Sequence, residues 1–182
     1  MRAGIICLAL MISPAHLRAE FAAATGSVSP DIISLEAGIV CPPVSIGSTP
    51  APGTVAGTTH IIEKEPPFVS NARRVPAVLG IGFGVKSQTD VVGGLDGVTW
   101  VVSHPSMGGD NVETQNFVTR ISDLKPSFKF YQFDYAYELL PGPWQMTAMR
   151  GENILYQVNF DVVPPEAVPE LARVCGYLDL LS

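Results

Sequence analysis

Three observations predict an all-β domain, two antiparallel sheets packed as an immunoglobulin-like sandwich with a short C-terminal helical turn. From Thr58 onward, short runs rich in Val, Ile, Thr, Phe and Tyr alternate with clusters of Gly, Pro and Asp, the pattern of short strands joined by turns. The run spacing gives seven or eight strands, and the long Pro-rich stretch before them is a crossover that a sandwich tolerates. A chain of 182 residues, 47% hydrophobic and 15% charged, can bury one proper core. A closed barrel is the alternative architecture.

The elements follow in order. Residues 20 to 31 (EFAAATGSVSPD) are small and polar without a period and read as a flexible lead-in. DIISLEAGIVC, Asp31 to Cys41, has the β-branched and apolar content of a first strand. Pro42 to Gly57 holds prolines at 42, 43, 50 and 52 and three glycines, so it reads as an irregular surface loop. Strands are then expected at Thr58 to Glu63, Val78 to Ser87, Gly97 to Ser103, Thr114 to Ser122, Ser127 to Phe133, Trp144 to Arg150 and Asn153 to Val163. The last two form a hairpin: Trp144, Met146 and Ala148 alternate with Gln145, Thr147 and Met149, and Gly151, Glu152 and Asn153 supply the turn. Pro165 to Val174 has helical character, limited to one or two turns by Pro169 and stopped by Gly176. The domain proper is expected to run from 32 to 182.

The first nineteen residues read as an export leader. Arg2 is the charged start, Ala3 to Ile12 the apolar core, and Ser13, Ala15 and Ala19 the small residues before cleavage, after Ala15 or Ala19. An apolar run of about ten residues cannot span a bilayer, which needs about twenty. The alternative is a short apolar N-terminal element. Cys7 falls inside the removed piece and lacks the small residues of a lipid-attachment site, so the mature chain keeps Cys41 and Cys175. Two cysteines in an oxidising compartment are expected to pair, here across a separation of 134 residues. Without Arg2 and Arg18 the 11 basic residues become 9 against 17 acidic ones, moving the net charge from −6 to −8. That charge repels phosphate backbones and speaks against nucleic acid. A soluble periplasmic or secreted protein is expected.

Few constellations carry chemistry. VVSHPSMGGDN, Val101 to Asn111, sets His104 two residues from Ser106. A serine nucleophile also needs a group orienting the base and an oxyanion hole, and no G-x-S-x-G elbow surrounds Ser106. Pro105 and the glycines 108 and 109 suit a reversal after a strand, so the stretch reads as a strand-ending loop. GIGFGV places Gly80, Gly82 and Gly84 on one strand face; it is not the G-x-G-x-x-G of a dinucleotide site and no helix follows it. The bare face is expected to take a neighbouring side chain, an aromatic one included. His60 and His104 stand in no ligand spacing, so neither metal nor cofactor is expected. Alternation splits the aromatic run: Phe128 and Phe130 share one face, Tyr131 and Phe133 the other, one set in the core and one partly exposed. In ELLPGPW two prolines make a rigid corner, after which Trp144 enters a strand as an inward anchor. Trp144 and Phe160 are the expected structural core residues.

Several phrases together resemble an uncharacterised bacterial family, domain of unknown function 3859. They are GIVC, PAPGT, RVPAVLGIGFGV, HPSMG, the YQFD strand followed by ELLPGPW, and a hairpin ending in FDVVPPE. The resemblance runs from about Ser34 to Gly176. It implies a small secreted β-rich domain and carries over no catalytic residues. The expectation for function is a non-catalytic module binding a protein or glycan of the cell envelope. The alternative is a hydrolase of an envelope polymer using loop residues around His104 and Ser106.

Overall fold

The computed structural model describes residues 25–181, so the expected leader lies outside the described residues. Eleven strands are described: β1 (Thr25–Val28), β2 (Ile32–Val40), β3 (Ser45–Pro50), β4 (Thr58–Ile62), β5 (Arg74–Pro76), β6 (Gly82–Thr89), β7 (Leu95–Met107), β8 (Val112–Ile121), β9 (Ser127–Gln132), β10 (Gly142–Arg150) and β11 (Asn153–Val163). One helix follows, α1 (Pro169–Cys175). The larger sheet has the order β1-β11-β10-β7-β8, with β5 parallel to the far end of β11. The smaller sheet is β2-β6-β9, and β3 pairs with β4 as a separate two-stranded ribbon. The two sheets remain distinct, a sandwich and not a closed barrel.

The expected hairpin is present in register: Trp144 faces Phe160, Met146 faces Val158 and Ala148 faces Tyr156, all six buried. Gly151 turns the chain at φ 59°. Phe83 of β6 lies 4.9 Å from Phe160 and 5.6 Å from Trp144, ring centre to ring centre, so one aromatic cluster joins the sheets. Trp144 also donates its indole N–H to the Leu140 carbonyl at 3.0 Å, satisfying the one polar atom such an anchor brings inside. Gly176 ends α1 in the left-handed region at φ 76°, as the sequence predicts, but Pro169 opens the helix instead of limiting one begun at Pro165, and Pro165–Ala167 is a separate 3-10 turn. Cys41, just past β2, bonds Cys175 at the end of α1, their Cα atoms 5.0 Å apart.

The glycine face of GIGFGV is covered from within. A Cβ on Gly84 would lie 2.5 Å from that of Phe130, and one on Gly82 would come 3.0 Å from the Phe130 ring. Phe130 in turn stacks on Phe128 at 5.0 Å with an interplanar angle of 3°, while Phe133 on the other face is fully buried.

Some expectations need correction, and one short strand has no counterpart among them. Thr25–Val28, expected within a flexible lead-in, is a strand on the outer edge of β11. Pro42 to Gly57, expected to be irregular, contains β3, which is exposed throughout and so carries no buried-exposed alternation, and whose Gly47 and Pro50 read as loop residues. Arg74–Pro76 is a short parallel strand, too short to carry a periodic signal. The expected strand end at Ser103 is also moved: β7 continues to Met107, and the reversal falls at Gly108. His104, Pro105 and Ser106 therefore lie on a strand and not in a turn.

Candidate functional site

His104 points inward and is buried. Its Nδ1 lies 2.8 Å from the Pro105 carbonyl and its Nε2 lies 3.0 Å from the Gln115 side-chain nitrogen. Nδ1 bears the proton, because a carbonyl can only accept, and Nε2 accepts from Gln115. Burial lowers the imidazole pKa, with the Pro105 carbonyl and Glu113 opposing, so the ring is held neutral. Ser106 donates its hydroxyl to Asn111 at 3.1 Å instead. Both ring nitrogens of His104 are thus committed to other partners, and the pairing a serine nucleophile requires is not made.

From His104 a chain of hydrogen bonds crosses the sandwich. Gln115 on β8 also donates to the Tyr131 hydroxyl of β9 at 3.2 Å, and Tyr131 donates to Glu138 Oε1 at 2.8 Å. Glu138 Oε2 accepts the backbone N–H groups of Asp134 and Tyr135 at 2.5 and 2.8 Å, closing the 3-10 turn Ala136–Glu138. Gln115 Oε1 accepts the Val55 N–H at 2.7 Å, which ties in the loop between β3 and β4. Burial raises the pKa of the Glu138 carboxyl against the hydrogen bonds that lower it. Burial first, and Glu138 second, push the Tyr131 phenol up, which keeps it the donor in that pair.

This network borders a cleft of about 70 Å³ where the edges of β8 and β9 approach and the ribbon passes over them. Trp100, Phe117, Phe130 and Tyr131 supply aromatic walls; Thr58, Thr59 and His60 of β4 form the roof. At one end Gln132, Asp134 and Glu138 gather. Three contacts hold the roof: Val55 on Gln115, the Asn116 N–H on the Gly53 carbonyl at 2.9 Å, and His60 Nε2 on Asp134 Oδ2 at 2.7 Å. Ser45 bonds the other ring nitrogen of His60 at 3.0 Å. Gln132 donates its amide to Asp134 Oδ1 at 2.9 Å, whereas its Oε1 is buried with no hydrogen-bond partner.

Of the residues singled out by sequence, His104 joins the network as a structural acceptor, Tyr131 joins it as a link, Phe130 lines the wall and His60 lies in the roof. Gln115, Tyr131, Glu138, His60 and Asp134 were not foreseen as a group. Their one sequence signal is Glu138, an acid closing an aromatic run ahead of two leucines. Among the described residues no cluster of three or more His, Cys, Asp or Glu could hold a metal ion, and no helix is long and apolar enough to cross a membrane.

With this geometry in view, residues 28–162 match the family model described as domain of unknown function DUF3859. The chain belongs to the DUF3859 family. The DUF3859 sandwich is also similar to a crystal structure of an immunoglobulin-like protein from Pseudomonas aeruginosa, with a TM-score of 0.50 at 20% identity. That match covers 71% of this chain and 92% of the other. It shows the immunoglobulin-like fold of the DUF3859 domain. No curated protein matches the chain in sequence.

Proposed function

We propose that this DUF3859 protein is a non-catalytic binding module, exported to the periplasm or the cell exterior, that engages its partner through the cleft under the ribbon. The observation that carries the reading is the cleft itself. Both sheets contribute to it, its walls are aromatic, its polar end is built by a buried network, and its roof is an exposed ribbon on three polar ties. Concave apolar sites with a few converging polar groups are where small molecules and side chains bind. Envelope glycans and proteins are the natural pool of partners for an exported chain. Export is supported by the Arg2 to Ala19 leader pattern and by the Cys41–Cys175 bond, a cross-link that persists in oxidising compartments. The hydrolase alternative has nothing to recommend it: His104 and Ser106 bond to different partners.

Two measurements test the reading. Fractionation of producing cells should recover a chain shortened by 15 or 19 residues from the envelope or medium, with no free thiol. Recovery of the uncleaved chain from the cytosol with both thiols free would refute export. Amide NMR of the oxidised protein, exposed to low-mass envelope extract, should show shifts confined to the cleft at 58–60, 115–117 and 130–134. Shifts confined to other surfaces would remove the cleft from the proposal.

A further inference from the structure

Three independent features of the cleft point to one kind of ligand. The first is charge: two carboxylates, Asp134 and Glu138, border it, and among the described residues His60 is the single lining group able to carry a positive charge. No described Lys or Arg lines it; Lys129, on the same strand as Tyr131, is not among the bordering residues. The second is the wall. Trp100, Phe117, Phe130 and Tyr131 border the cleft, with Trp100 and Phe117 5.2 Å apart between ring centres, and aromatic faces attract cations through their quadrupole. The third is an imbalance in hydrogen bonding: the amide nitrogen of Gln132 is committed to Asp134, so its Oε1 is a buried acceptor with no donor. Buried acceptors without partners are costly, and a ligand N–H would satisfy this one.

We propose that the cleft binds a primary alkylammonium group, whose N–H donates to Gln132 Oε1 while its charge lies between the aromatic walls and the Asp134 carboxylate. A neutral hydroxyl ligand could satisfy Gln132 but gains nothing from the negative end or the rings. An anion would meet two carboxylates. A volume of about 70 Å³ suits the head of such a group and its first carbons, with the remainder of the ligand leaving past the roof. The inference rests on the cleft being the binding site and adds the chemistry of what enters it.

The test titrates the oxidised full domain with n-propylammonium, 1-propanol and tetramethylammonium, following the side-chain amides of Gln132 and Gln115 and the indole of Trp100 by NMR. Propylammonium should bind at least tenfold more tightly than propanol. Tetramethylammonium, charged but without an N–H, should fall between them. Gln132→Leu should reduce propylammonium affinity several-fold and leave tetramethylammonium unchanged; Phe117→Leu should weaken both. Equal binding of propanol and propylammonium would overturn the ammonium assignment while leaving the cleft a binding site. Shifts by neither compound, in a protein whose spectrum is otherwise that of the folded domain, would overturn the assignment and the cleft together.

Discussion

The two flanks of this sandwich are held by different physics. Around Phe83, four aromatic side chains from both sheets lie within 6.1 Å between ring centres, Phe160 and Trp144 among them, and the Cys41–Cys175 bond ties the end of β2 to α1. Over the cleft, whose wall includes Tyr131 from the edge of that cluster, the ribbon exposes every residue of β3, with Ile46 at 63%, and rests on three polar contacts. A lone two-stranded ribbon is marginal in water, so β3 and β4 depend on what they touch. On the proposed reading the contrast separates two tasks: dense apolar packing carries the stability, and the loosely roofed side offers accessible atoms for recognition. Sites that must admit a ligand are drawn from the least stable parts of a fold.

The comparison breaks most visibly if the packed flank is weakened. Replacing Cys41 and Cys175 with serine releases a loop of 134 residues, and the chain-entropy relation puts the loss at about 5 kcal/mol. Denaturant titration of the oxidised protein and the double variant should show it. A change below about 1 kcal/mol would mean that the aromatic cluster alone carries that flank. Next in size is Trp144→Ala. With the ring 1% exposed and its N–H bonded inside, the expected cost is about 3 to 5 kcal/mol. Near-neutral stability would place Trp144 on the recognition side of the comparison.

The packed flank was legible in the sequence and the recognition flank largely was not. Trp144 to Val163 could be read as a hairpin, because Trp144, Met146 and Ala148 recur on one buried face at a period of two and Gly151 marks the turn. The glycine face of β6 could be read as needing an aromatic cover, since a strand with no side chains on one face leaves room that packing must fill. The pairing of Cys41 with Cys175 followed from two remaining thiols and an expected oxidising compartment. The cleft is different. Gln115, Tyr131 and Glu138 lie on β8, β9 and a separate turn, and only the approach of two sheet edges brings them together. His104 misled for a related reason. Pro105 and the following glycines look like a turn, yet the strand runs on to Met107 because its inward positions, His104 and Met107, both find buried partners.

His104 also gives the contrast a pH signature. Gln115 donates to its Nε2, which only the neutral ring can accept, and burial lowers the imidazole pKa below its ordinary value. The native state therefore binds this proton less readily than the unfolded chain. The contribution of the neutral ring is complete above about pH 6.5, the unfolded value, and is lost as the pH falls through the lowered native one. Glu138, whose pKa is raised, works the other way: its stabilisation is lost as the pH rises above the ordinary glutamate range. Comparison with His104→Gln isolates the first effect. The stability advantage of the parent over the variant should shrink between pH 7 and pH 5; a gap independent of pH would show that the ring is not held neutral.

The smallest expected effect sharpens the comparison most. His60 and Asp134 make the ribbon's outermost tie with side chains 32% and 28% exposed, and partly exposed pairs of this kind contribute at most about 1 kcal/mol. His60→Ala should barely move the global denaturation midpoint, because β3 and β4 bury little of the common core. It should nevertheless speed hydrogen exchange along 45–62 while leaving the amides of β10 and β11 as protected as before. That outcome requires the ribbon to open on its own, as a roof over a binding cleft must. If the ribbon and the hairpin lost protection together, the two flanks would form one cooperative unit and entry under the ribbon would require global unfolding.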